Sequence, residues 1–593
     1  MVRRLRPRAD PGRRLGVTLL AIAFVLSLFA GRLVQLQGFQ SGKLLQLAQK
    51  QRLHTVSLPA LRGSITAANG QVLAMTVQTY LVYVDPVMMT PAQMPQVAAA
   101  LAGPLGMSSA DILSLIEHPS SPQYVVLKRG VSQAAADQIS ALTLPGSPVK
   151  LTSLGVATQG SYSRTYPDGS ATSNLVGFTT GTASGNLKGQ AGLEYADNAL
   201  LAGKPGSEQA QISTNGEPIP LAGGKSTPAA NGSSLRLTII PALQWKAQQA
   251  CEQRVEQTHA DNCTVVIMQP HTGQILAMAQ WPAYDPSSGN PAARSDLAVQ
   301  DIFEPGSTGK VITAAAAMEH GGQTIDSTYT VPDQITEAGY PFHDAEYHPV
   351  ERWTIAGILA NSSNDGMVQV VRHVSPQTQY AYLKAFGLDS PTGLNLPGES
   401  QGLLPAVSKW WGDERYTLSF GQGVDVNAVQ MASVYATLAN GGVRVQPTLV
   451  AGTTNSAGSY TAAAPSPSRR VIKATTARAL IGALQQVPAV DEEANEPWGI
   501  IPGYAVAAKT GTSQEWDAAK HCLCEYGSSY IGMAPGDNPQ LVVSVNVQNP
   551  RKGGYYGDVV AGPVFYNVME FALQTMKIPP DGAKPANVRL TGP

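Results

Sequence analysis

Residues 15 to 30 carry no charge, and the apolar character continues past Arg32 through Leu33, Val34 and Leu36. A run of that length is enough to cross a bilayer as a helix. Later apolar runs are shorter. Cys263 to Met268, Ile275 to Gln280, Ser529 to Met533 and Leu541 to Val547 have strand length and are bounded by turn residues. Val311-Ile312-Thr313-Ala314-Ala315-Ala316-Ala317-Met318, stopped by Gly321-Gly322, predicts a helix, and a second helix begins near Pro241. Strand pairs alternating with helical blocks predict an α+β domain, with helices packed on a mixed, mainly antiparallel sheet. Its expected limits are 237–577, with an interruption of low complexity from Ala451 to Ser468. Residues 38–236 read as an extended domain of strands and short helices, closed by the polar, Gly-rich linker Gly223 to Ser234 and by Leu235-Arg236-Leu237-Thr238-Ile239-Ile240. The Pro-rich stretch 578–593 is expected to be a disordered tail.

Charge adds an orientation. Arg3, Arg4, Arg6, Arg8, Arg13 and Arg14 precede the long apolar run. The pattern predicts a basic cytoplasmic tail over 1–14, a transmembrane helix over 15–37 and everything else outside the cytoplasm. A cleavable signal peptide shares the basic flank and apolar run, but Ala30-Gly31 is a poor cleavage site, so an uncleaved anchor is expected. A chain of 593 residues, 43% hydrophobic and 14% charged, is too long for one core, and a net charge of -1 argues against a nucleic-acid role. Four cysteines suit an oxidising compartment. Cys251 falls late in the helix from Pro241 and Cys263 opens a strand, so an oxidised pair would staple helix to strand; two buried thiols are the alternative.

Three short motifs carry the candidate chemistry: Ser307-Thr308-Gly309-Lys310, Ser362-Ser363-Asn364 and Lys509-Thr510-Gly511-Thr512. Spelling alone decides nothing. Ser147-Pro148-Val149-Lys150, Ser184-Gly185-Asn186, Ser288-Gly289-Asn290 and His271-Thr272-Gly273 satisfy the same patterns. Context separates the sets, because Ser307 follows Phe303-Glu304-Pro305-Gly306 and opens the Ala-rich helix, whereas Ser147 sits between Pro145 and Pro148. Residues three apart share a helix face, so the Lys310 amine is expected to reach the Ser307 hydroxyl. Burial near a helix N-terminus should depress its pKa and make it a base. Ser362 and Asn364 end the apolar segment Trp353 to Ala360, and Lys509 follows a short expected strand, Gly503 to Ala508, whose small residues let a substrate backbone lie alongside.

With these residues the chain resembles the class B penicillin-binding proteins, monofunctional peptidoglycan D,D-transpeptidases. Phe420-Gly421-Gln422-Gly423, Gln430-Met431-Ala432, Tyr435 to Gly442 and Ala561-Gly562-Pro563-Val564-Phe565 extend the resemblance. So do Arg62-Gly63-Ser64-Ile65 with Asn69-Gly70, Arg164 to Gly169 and Gly189-Gln190-Ala191-Gly192-Leu193-Glu194, similar to the family's pedestal motifs. Arg62, Arg164 and Glu194 are expected to form a structural network. Ala67-Ala68 replaces the usual Asp-Arg and puts one pedestal ion pair in doubt. The Cys522-Leu523-Cys524 loop is similar to that of actinobacterial septal members, and a local disulfide is expected there.

The resemblance implies a transpeptidase domain on a pedestal, or dimerisation, domain, and two-step acyl transfer. Ser307 is the implied nucleophile, Lys310 its base, Ser362 a proton relay, and Asn364 a ligand of the substrate amide. Lys509, Thr510, Gly511 and Thr512 form the carboxylate and beta-lactam site, and the backbone amides of Ser307 and Thr512 the oxyanion hole. Peptidoglycan stem peptides are the implied substrates and beta-lactams the inhibitors. No cofactor or metal is expected. Glycan polymerisation is expected from a SEDS-family partner within the divisome, since no large domain precedes the pedestal. The alternatives are an elongation-type transpeptidase, a membrane beta-lactam receptor or beta-lactamase, and a structural divisome component with an idle site. His343 and His348 are expected in a solvated loop beside the cleft, and Trp410-Trp411 as a packing pair.

Overall fold

The computed structural model describes residues 11–40, 42, 53–119, 121–182, 186–212, 218–220, 225–286, 295–517, 520–582 and 584–593. The basic run Arg3 to Arg8, and the look-alike motifs at 184–185 and 288–290, lie outside these residues. The chain divides into two compact units, Met1–Ala60 with Lys204–Ala230, and Leu61–Gly203 with Asn231–Pro593.

In the smaller unit, helix α1 (Pro11–Val34) continues to Gly38 with none of its residues buried, and it is long and apolar enough to cross a membrane. The same unit holds a small antiparallel sheet in which Leu53–Leu58 and Ser226–Thr227 flank Gly206–Ile212.

The larger unit contains the pedestal and the catalytic region. Strand β1 (Val72–Val84) is the pedestal spine, paired antiparallel with β2 (Val125–Val131) and along its length with β3 (Val156–Thr165). Val82, Val84, Leu101, Ile112 and Ile139 close a core between this sheet and its short helices. Next to it Glu194 is fully buried and held by two guanidinium groups, Arg62 Nε at 2.5 Å and Arg164 Nε at 2.6 Å. Burial depresses the Arg62 pKa while Glu194 opposes that shift. Removing one partner of so buried a group would leave an uncompensated charge, which makes the set a structural clasp. At the departure Ala67-Ala68, the Arg236 guanidinium donates twice to the Ala68 carbonyl, at 3.0 and 2.6 Å, so a main-chain acceptor takes the cation.

Helix α2 (Pro241–Thr258) leads into the catalytic sheet. Its strands are β4 (Asn262–Met268), β5 (Ile275–Trp281), β6 (Ala507–Asp517), β7 (Cys522–Ala534) and β8 (Leu541–Gln548), in the antiparallel order β5-β4-β8-β7-β6. The two-residue period of a strand separates two cores. Val265, Ile267, Val543 and Val545 face α2 and the long helix α7 (Gly557–Thr575), while Val266, Met268, Met533 and Val542 face the helices that carry the first two motifs. Those helices are α3 (Lys310–His320), α4 (Ile355–Ala360), α5 (Asn364–Val371) and α6 (Ala428–Ala439). Every residue of α6 is buried, and an Asn427–Gln430 capping box starts it. Cys251 on α2 is bonded to Cys263 on β4, and Cys522 to Cys524.

Two expectations fail. Residues 451–468 are not a mere interruption: Val450–Thr454 and Tyr460–Ala462 form a hairpin whose first strand pairs antiparallel with Ser234–Leu237. The latter also pairs parallel with Ile65–Thr66, so one sheet joins pedestal and catalytic residues. The stretch expected to be a disordered tail is docked. Thr354 Oγ donates to the Arg589 carbonyl at 2.6 Å, Thr354 N–H to the Leu590 carbonyl at 2.9 Å, and Gly592 N–H to the Arg352 carbonyl at 2.7 Å, while Val588 and Leu590 pack on the core. Backbone carbonyls do the binding, so Pro-rich composition did not reveal it.

Candidate active site

Ser307 lies in the tight turn Gly306–Gly309 that feeds α3, and three contacts hold that turn. Gly306, at φ +51°, donates its N–H to the Gly421 carbonyl at 2.9 Å. Tyr435, fully buried on α6, donates its hydroxyl to the Thr308 carbonyl at 3.0 Å. Gly511 of β6 packs so close that a Cβ there would meet the Pro305 carbonyl oxygen at 2.9 Å and also the Ser529 hydroxyl. Gly306, Gly421 and Gly511 therefore answer one packing requirement.

Lys310 is completely buried, yet its amine does not engage the Ser307 hydroxyl, which makes no hydrogen bond among the described residues. Instead Nζ donates to the Ser362 carbonyl and, at 3.4 Å, to Ser362 Oγ. Ser362 can offer both oxygens because it sits at φ +57°, a left-handed conformation uncommon for serine. Ser363 then caps α5 by accepting from Gly366 N–H at 2.8 Å. Asn364 donates its amide to the His343 carbonyl at 3.2 Å.

The third motif lies inside a strand, since β6 runs from Ala507 to Asp517 and begins later than the expected Gly503. Pairing with β7 sets its register, Lys509 opposite Ile531 and Thr512 opposite Ser528. β6 is an edge strand of the sheet. Lys509 is buried, its Nζ 3.4 Å from the Thr510 hydroxyl, and Thr512 Oγ accepts from Gly557 N–H at 3.1 Å.

These elements enclose a cavity of about 350 Å³ lined by Ser307, Ser362, Asn364, Thr510 and Thr512. Lys310 and Lys509 stand behind the wall. Burial holds the Lys310 amine well below the ordinary lysine range, Lys509 adds to this, and Asp344 and Asp365 oppose it. Burial lowers Lys509 to about 8, with Asp491 and Asp558 pulling it back. Asp491 lines the cavity, accepts from the Tyr530 hydroxyl at 3.0 Å and is pushed up to about 7 by burial. A depressed amine beside a serine hydroxyl and a cavity is equipped for proton transfer.

The loop of residues 342–348 borders the cavity as expected, but it is tied down. Asp344 caps α5, accepting from the N–H groups of Asn364 and Asp365, the latter at 3.1 Å, and pairs with His348 at 3.0 Å. Sequence reasoning missed Asp344 because the N–H groups it accepts from lie 20 and 21 residues away. Trp410 and Trp411 are not a packing pair: Trp410 donates to the Pro405 carbonyl at 2.8 Å, whereas Trp411 is 77% exposed. The look-alike Ser147 lies in a pedestal turn and His271 in the β4–β5 turn. Among the described residues no group of three or more His, Cys, Asp or Glu side chains could hold a metal.

The penicillin-binding protein transpeptidase domain matches residues 263–570. The chain belongs to that family. The penicillin-binding protein dimerisation domain matches residues 57–237, so the family's two-domain organisation is present, with an α+β transpeptidase domain. The chain is 32% identical over 610 residues to the penicillin-binding protein PbpB of Mycolicibacterium smegmatis, covering 96% of this chain and 92% of the relative. It is 30% identical over 586 residues to the peptidoglycan D,D-transpeptidase FtsI of Escherichia coli, covering 95% and 92%. It superposes with a TM-score of 0.68, at 28% identity, on penicillin-binding protein 3 of Mycobacterium tuberculosis complexed with aztreonam, covering 91% and 100% of the two chains.

Proposed function

We propose that this class B D,D-transpeptidase cross-links peptidoglycan stem peptides through a Ser307 acyl-enzyme during septal wall synthesis, and that beta-lactams acylate the same serine. The observation that carries the reading is the convergence of Ser307, Ser362, Asn364, Thr510 and Thr512 on one cavity backed by two buried amines. Lys310, as free amine, takes the Ser307 proton directly or through Ser362. The alkoxide attacks the carbonyl of the penultimate D-Ala, and the amides of Ser307 and Thr512 hold the oxyanion. Ser362 returns the proton to the leaving nitrogen and the terminal D-Ala departs. A neighbouring stem amine then resolves the ester.

The edge position of β6 supports binding of an extended peptide as an added strand. Asn364 holds its amide, and Lys509, Thr510 and Thr512 receive its carboxylate, with Gly511 leaving room for the Ser307 turn. The organisation assigned is pedestal 38–236 and transpeptidase 237–577, anchored by α1 in the cell membrane with the catalytic domain outside. The Cys522-Leu523-Cys524 loop supports the septal assignment, beside a SEDS-family polymerase and other divisome proteins.

Intact mass of the full-length protein in detergent, after incubation with benzylpenicillin, tests the chemistry. A stable adduct on wild type and none on Ser307→Ala is expected; rapid loss of the adduct would indicate a hydrolase, and its absence an idle site. A fluorescently tagged chain should gather at division sites; spread along the sidewall, it would support an elongation role.

A further inference from the structure

Residues 586–592 lie as a strap along the helix that leads into the second motif. Ala586, Val588, Leu590 and Gly592 are half-buried and alternate with exposed Asn587, Arg589 and Thr591, the two-residue period of an extended chain packed on one face. One end is held just after the helix Ala474–Leu484: Ala586 N–H donates to the Gln485 side-chain carbonyl at 2.6 Å, and Gln486 donates its amide to the Ala586 carbonyl at 2.7 Å. The other end is held where the chain enters α4. Thr354, with no exposed surface, donates its N–H to the Leu590 carbonyl at 2.9 Å and its hydroxyl to the Arg589 carbonyl at 2.6 Å. The same hydroxyl accepts from Gly357 N–H at 3.1 Å and so caps α4. A Cβ at Gly357 would meet the Leu590 carbonyl oxygen at 2.1 Å, which puts the strap directly on the first turn of α4.

α4 has six residues, about 9 Å of helix. Its far end delivers the second motif. Ser362 N–H bonds back to the Leu359 carbonyl at 3.3 Å and Ser363 N–H to the Ile358 carbonyl at 2.9 Å, and Ser362 turns both its oxygens toward Lys310. A rigid element this short carries a displacement at one end to the other. Trp353, beside Thr354, lines the cavity and bridges Thr591 of the strap.

We propose that the strap 586–592 is a positioning element of the acylation step, holding Ser362 against Lys310 through Thr354 and α4. The proposal rests on Lys310 being the base.

Acylation of the full-length protein in detergent by a fluorescent penicillin, resolved into non-covalent affinity and acylation rate constant, is the test. Deleting residues 588–593 should lower the rate constant by about 10- to 100-fold, the scale of a misplacement approaching 1 Å. Affinity, which the proposed carboxylate site on β6 sets, should change little. Thr354→Val, which removes the hydroxyl from both of its bonds, should lose rate in the same way, and Thr354→Ser, which keeps it, should restore the rate. In a Lys310→Met background the deletion should cost nothing further, because groups that act as a unit are not additive. A deleted chain that acylates at the wild-type rate, whatever its melting temperature, or one that loses as much rate in Lys310→Met as in the wild type, would overturn the proposal. Absence of the Ser307 adduct from the wild type would instead overturn the reading beneath it.

Discussion

Gly421 lies against Gly306 so closely that a Cβ at Gly421 would overlap the Gly306 carbonyl oxygen. Gly421 also adopts φ +85°, which side chains other than glycine's rarely tolerate. Gly421→Ala should therefore displace the Ser307 turn. Misplacing a reacting group by about 1 Å costs on the order of 100-fold in rate. Stopped-flow acylation of Gly421→Ala should reveal a loss of that order; wild-type rates would mean the turn tolerates the shift.

Among the described residues, Lys310 is the amine that hydrogen-bonds Ser362, and on the proposed mechanism it is the base. Lys310→Met should lower the acylation rate by about a thousandfold, the usual scale of general-base catalysis, with a melting temperature at or above wild type because a buried amine is removed.

An alkaline limb is expected as well. Lys509 titrates at about 8, below its ordinary value, so its ammonium is lost as pH rises through 8. If Lys509 receives the substrate carboxylate as proposed, acylation should fall above about pH 8 with KM rising more than kcat falls. Lys509→Gln should weaken acylation at pH 7 and flatten this limb.

The Cys251–Cys263 bond closes a loop of 12 residues, worth about 3 kcal/mol through restriction of the unfolded chain. Cys251→Ser should lower the melting temperature while the acylation rate at 25 °C stays near wild type, because the bond lies on the face of the sheet away from Ser307. Differential scanning fluorimetry reads the first effect and penicillin labelling the second.

Burial raises Asp296, Glu304, Asp491 and Glu515 to about 7 and Asp365 to about 8. All five lie above their unfolded values. Between about pH 4 and 8 the folded state thus binds more protons than the unfolded chain, and their stabilising contribution is lost as pH rises through that window. The protein should melt at a higher temperature at pH 5 than at pH 8, and Asp365→Asn should narrow the difference.

The three motifs were legible because each writes its chemistry within four residues, and the glycine stop after Met318 and the strand-length runs around Val266 and Val543 marked the sheet and helices. What stayed hidden depends on distant main-chain groups. The left-handed Ser362 is imposed by the α4–α5 turn, not by serine's own preference. The choice of Ser362 over Ser307 as Lys310's partner follows from that turn. Asp344 earns its place only when residues 342–348 fold back on α5, and the Thr354 contacts with residues 589 and 590 use carbonyls that every residue type carries.

Strand Ser234–Leu237, laid between Ile65–Thr66 of the pedestal and Val450–Thr454 of the catalytic region, has a mechanical meaning. A pull on the pedestal would reach the transpeptidase domain as sliding along paired strands, with the ladder bonds loaded together.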